Sequence, residues 1–175
     1  MDFFIAIRRW NGKSSEDIES LYTALVDQPD FEDRLVSALA GDEEIHRGAS
    51  WLLKHHLEHR HALTDAQVSE VLDQLPLLKN WEAKLHILQC LTYIAVPLEH
   101  RNTVEEFVRS CLTEINKFVR AWAYNAMFEL ACQFPDLQPE VEVMFEAASE
   151  DEAASVKARV RNIQKQGFPV LNQAS

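Results

Sequence analysis

Apolar residues recur along this chain at helical spacing. Ile18, Leu21, Tyr22 and Leu25 form one stripe, Val68, Val71, Leu72 and Leu75 a second, and Val141, Met144, Phe145 and Ala148 a third. Positions three and four apart share a face of an α-helix, so each set predicts one helix buried along a single side. No run alternates β-branched with polar residues, and Gly occurs 4 times and Pro 6 times. That combination predicts an all-α chain without a sheet. Polar punctuation sets the helix limits. Ser14 with Asp17, Thr64 with Gln67 and Thr103 with Glu106 have the spacing of capping boxes and predict helix starts. Pro29, Gly41, Pro76, Pro97 and Pro135 follow the apolar-periodic segments and predict helix ends. About nine helices joined by short turns result.

The longer helices repeat. Ile45, Trp81, Val119 and Val156 align at intervals of 36, 38 and 37 residues. Four residues on stand Ala49, Leu85, Ala123 and Val160; seven residues on stand Leu52, Leu88, Ala126 and Ile163, all apolar. Repetition of this length is the signature of stacked helix pairs, none of which can bury its apolar face alone. The segments "FVRAWAYNA" and "SVKARVRNI" resemble the second-helix pattern of the HEAT-repeat family, within the armadillo-like group, in which Val-Arg precedes a small apolar residue. In the first two copies that pair is replaced by Ile45-His46 and Trp81-Glu82. The resemblance covers roughly residues 30–166. It implies a single domain, a short right-handed α-solenoid of about four helix pairs (30–62, 63–97, 98–134 and 135–166), with residues 1–29 as an N-terminal cap and 167–175 as a tail.

Composition narrows the function. The chain has 175 residues, of which 47% are hydrophobic, enough for one packed domain. No apolar run approaches the roughly 20 residues needed to span a bilayer, and the opening "MDFFIAIRRW" lacks the order of a signal peptide, so a cytoplasmic protein without membrane association is expected. Cys90, Cys111 and Cys132 form no Cys-x-x-Cys pair and fall inside helices, which predicts reduced thiols rather than disulfides or zinc ligands.

The net charge of −11 opposes nucleic acid and acidic membranes, but it is unevenly spread. Residues 45–61, 79–94, 116–133 and 153–166, the expected second helices, carry eleven basic and three acidic residues, against 6 and 25 elsewhere. In HEAT-like stacks the second helices line the concave side, so the resemblance implies a basic groove. Its candidate residues are Lys84, Arg120, Trp122, Asn125, Glu129, Lys157, Arg159 and Arg161.

Three functional readings meet on these residues. A zinc site at His55 and His59, one helical turn apart, lacks a third ligand and a catalytic cleft, so no metal is expected; the His-rich run is a polar helix end whose charge rises as pH falls toward 6. A similarity to the HEAT-like DNA alkylation-repair glycosylases gives Trp122 a stacking role, Glu129 charge stabilisation and Arg159 a phosphate contact, which makes nucleic acid the alternative partner. No Gly-rich phosphate loop, nucleophile elbow or paired catalytic carboxylate occurs, and no cofactor is implied. The expected function is therefore a non-catalytic scaffold that binds an acidic or amphipathic protein segment in the basic groove.

Overall fold

The computed structural model describes residues 2–169, and its contacts divide the chain into two compact units, Met1–Val104 and Glu105–Ser175. The described residues form ten α-helices and three short 3-10 turns, with no strand among them. The first unit holds α1 (Phe3–Arg9), α2 (Ser15–Leu25), α3 (Phe31–Leu39), α4 (Glu43–Glu58), α5 (Asp65–Asp73) and α6 (Trp81–Cys90), and ends in the first turn of α7 (Arg101–Cys111). The second unit holds the rest of α7 with α8 (Lys117–Gln133), α9 (Gln138–Asp151) and α10 (Ala154–Gln166).

In the first unit α4 is the hub, touching α1, α2, α3 and α6. Phe3, Ile18, Phe31, Leu35, Leu39, Leu52 and Leu53 are fully buried in this core. The approach of α1 depends on Gly48, where an added Cβ would lie 2.5 Å from Ile7 Cγ2. Capping proceeds as the spacing predicts at Ser14, whose side chain accepts from Asp17 N, and at Thr64, which forms a full capping box with Gln67. Thr103 differs. A 3-10 turn, Leu98–His100, leads directly into α7 at Arg101, so Thr103 lies inside the helix rather than at its start.

In the second unit α8 packs against both α9 and α10. Asn116 caps α8 by accepting from Phe118 N, and Gly167, at φ 67, ends α10 in a conformation that favours glycine. The core is built from Val119, Ala123, Ala126, Met127, Val141, Phe145, Val160 and Ile163.

Helix starts correct the repeat register in one copy. Ile45, Val119 and Val156 are each the third residue of α4, α8 and α10. In α6 that position is Ala83, because Asn80 accepts from Glu82 N and Ala83 N and fixes the helix start at Trp81. The columns therefore read Ile45, Ala83, Val119, Val156; then Ala49, Ile87, Ala123, Val160; then Leu52, Cys90, Ala126, Ile163, and every member is buried. The expected members Trp81, 43% exposed, and Leu85, half-buried, lie two residues out of step, while Leu88 is buried beside the true column.

Candidate partner-binding surface

The corrected register explains much of the basic bias. The fourth residues of the second helices are His46, Lys84, Arg120 and Lys157, so Lys84 stands where Glu82 is expected. Three of these reach back to the turn or helix end just before them. His46 Nε2 donates to Gly41 O at 2.9 Å, Arg120 Nη1 to Glu114 O and Ile115 O at 2.8 and 2.9 Å, and Lys157 Nζ to Glu150 O at 2.6 Å. The carbonyls that end a helix and its following turn lack intrahelical donors, and a side-chain N–H at this height supplies them. Lys84 is likewise engaged.

Arginines also tie one repeat to the next. Arg120 Nε and Nη2 hold both oxygens of Glu152 at 3.0–3.2 Å, with the two side chains only 19% and 16% exposed. Arg47 meets Glu82 at 3.3 Å in the first unit. Arg109 of α7 grips Glu140 of α9 through two bonds of 2.7 and 2.8 Å, which holds the Glu140 carboxyl below its ordinary range. Arg120 and Lys157 are thus spent on holding the fold.

Other candidate residues collect on the solvent side of α8 and α10. Phe118, Trp122, Asn125 and Glu129 follow one another at i, i+4, i+7 and i+11, within an arc of about 60°. Arg159, from α10, lies with its guanidinium 3.9 Å from the Trp122 ring centroid. It makes no ion pair among the described residues, and burial alone pulls its guanidinium below its usual range. Glu129 is half-buried, has no charged partner among the described residues, and is pushed above the usual carboxylate range by burial alone. Between them Asn125 is only 8% exposed, and its amide makes no hydrogen bond with a described residue. Arg161 and Lys165 stand exposed further along α10, on its other flank, without an ion pair among the described residues. Phe118, 52% exposed, extends the row; its spacing from Trp122 was the signal that sequence reasoning passed over.

The His-rich end of α4 is a packing element. His55 stacks on Trp51 at 4.7 Å between ring centroids, and His59 Nδ1 lies 2.7 Å from His55 O, positioned to donate to that carbonyl. His56 is fully buried, receives the Tyr22 hydroxyl at 3.1 Å on Nδ1, and has Nε2 3.3 Å from Glu32. Burial and the neighbouring His61 lower His56 to about 4, and burial lowers His86, beside Ser50, to about 4. Both rings stay neutral at pH 6, so within the run His56 does not contribute the expected gain of charge. No group of three or more His, Cys, Asp or Glu among the described residues is placed to hold a metal ion. Cys90 and Cys111 are buried thiols outside any disulfide among the described residues, and burial pushes the half-buried Cys132 up to about 11. No helix among the described residues is long and apolar enough to cross a membrane.

A family model described as a HEAT repeat domain matches residues 11–167. No curated protein matches the chain. Among solved structures, the crystal structure of an engineered protein from the Northeast Structural Genomics Consortium aligns over 93% of this chain and 72% of its own, with a TM-score of 0.52 and 18% identity. That likeness concerns the fold alone.

Proposed function

Because the chain belongs to the HEAT repeat family, we propose that it is a non-catalytic protein-interaction scaffold whose α8–α10 surface docks an acidic or amphipathic protein segment. The observation that carries this reading is Arg159, whose guanidinium lies 3.9 Å from the Trp122 ring centroid and makes no ion pair with a described residue, so its charge is left to meet a partner's carboxylate. Beside it, Asn125 offers an amide without a hydrogen bond to a described residue, Trp122 and Phe118 offer apolar area, and Arg161 and Lys165, on the other flank of α10, add longer-range positive charge that draws an acidic partner. Arg120 and Lys157 are engaged within the fold, which leaves them less available to a partner. One face of Trp122 is already covered by Arg159, which removes a stacking surface that a nucleotide-binding reading needs.

Replacing Arg159 and Arg161 by Glu tests the proposal. Capture of an acidic protein partner from nuclease-treated lysate should be salt-sensitive with the wild type and lost with the variant, at nearly unchanged stability. Salt-dependent binding of duplex DNA by the wild type, lost in the variant, would favour the nucleic-acid alternative instead.

A further inference from the structure

The unpaired groups on α8 and α10 differ in sign at the two ends of the row. The Trp122 end carries the Arg159 guanidinium, the other end carries the Glu129 carboxylate, and the Asn125 amide lies between. The two groups form no ion pair with each other or with another described residue, and burial shifts each toward its neutral form. Trp122 and Glu129 are seven helical residues apart, about 10 Å along the axis at about 1.5 Å per residue. A polyproline-II segment covers about 9 Å in three residues at about 3.1 Å each, and its turn of three residues puts side chains i and i+3 on one edge. An amide side chain can donate and accept at once, which suits the main-chain peptide group of such a segment.

Resting on the proposed docking surface, we infer that its occupant is a peptide segment in the extended polyproline-II conformation with a carboxylate side chain and, three residues away, an ammonium or guanidinium side chain. The carboxylate pairs with Arg159 at the Trp122 end, a main-chain peptide group meets Asn125, and the cation reaches Glu129. A purely acidic segment satisfies only one pole and leaves Glu129 half-buried and unpaired. A purely basic one faces Arg159, Arg161 and Lys165.

Blocked synthetic peptides of Gly, Ala and Ser carrying one Glu and one Lys test the inference. Their separations run from one to six residues in both orders, beside Glu-only and Lys-only controls. Affinity is read by titration of the full chain, with the Asn125 side-chain amide followed by NMR. Separation three should bind tightest, about five- to tenfold above separations one and six, which is one additional charge-assisted contact. Glu129→Gln, nearly isosteric, should abolish the dependence on separation and leave the Glu-only peptide bound as before. Arg159→Gln should weaken both. A Glu-only peptide that binds wild type as tightly as the best mixed peptide, or a flat dependence on separation, overturns the inference while leaving docking of acidic segments intact. If no peptide moves the Asn125 amide, the inference and the docking surface fall together.

Discussion

Arg159 of α10 places its guanidinium over Trp122 of α8, 3.9 Å from the ring centroid, with no carboxylate among the described residues to share it. Two residues earlier in α8, Arg120 is bound by Glu152, in the turn that precedes α10, and by two carbonyls. Two arginines in the same pair of helices thus do different work, one holding the repeats together and the other facing outward with its charge unspent.

Arg120→Met should therefore destabilise the protein by about 2–3 kcal/mol, because it strands the largely buried Glu152 and removes the donors of two carbonyls. Arg161→Met, at an exposed and unpaired site, should stay within about 0.5 kcal/mol. Urea denaturation of the two variants, with Glu152→Gln completing a double-mutant cycle, measures the difference. Equal effects at the two positions would remove Arg120 from the scaffold.

The corrected register makes a second comparison. Ile87→Ala should cost about 2–5 kcal/mol through lost burial and a cavity, as should Leu88→Ala. Trp81→Ala, despite the larger side chain, should cost less than either because Trp81 is 43% exposed. A larger loss at Trp81 in thermal or denaturant unfolding would restore the original alignment.

Much of the fold was legible because helical periodicity, caps and repeat length are local or periodic signals. Three of the four copies aligned correctly for that reason. Copy two slipped because Trp81 has the size of a core residue, whereas Asn80 decides through two hydrogen bonds that Trp81 opens the helix and Ala83 faces inward. The site was legible only in part. Trp122, Asn125 and Glu129 share a helix face by spacing alone, and Arg159 sits one repeat further on. Yet nothing in the residue types separates Arg120, consumed by Glu152, from Arg159, stacked and unpaired. That distinction arises from contacts some 30 residues apart in sequence. The His run misled for a similar reason: His56 is carried inward by the face it shares with Leu52, Leu53 and Leu57, and burial lowers its proton affinity.

That burial sets a pH dependence. His56 and His86 titrate near 4 in the folded chain and near 6.5 when unfolded, so between these values the unfolded state binds more protons. Their contribution is complete above about pH 6.5 and is lost as pH falls toward about 4. Each should remove about 2 kcal/mol between pH 7 and pH 5. Around His56 stand Glu32, His55, His61 and Tyr22, and around His86 stand Lys54, Arg47 and Ser50. Denaturant midpoints measured across this range should show a shallower slope in His56→Gln and in His86→Gln than in wild type. Slopes unchanged in both variants would mean that neither ring is held neutral by the fold.

Site-specific photo-crosslinking tests the docking surface most directly. A photoreactive phenylalanine analogue at Phe118 lies in the row with Trp122, and the same group at Val143 lies on the acidic α9, equally open to solvent. In nuclease-treated native lysate the account predicts protein adducts from position 118 that diminish with salt and vanish when Arg159 and Arg161 are Glu, with few from position 143. Adducts of equal strength from both positions, or adducts at 118 indifferent to those two charges, would contradict it.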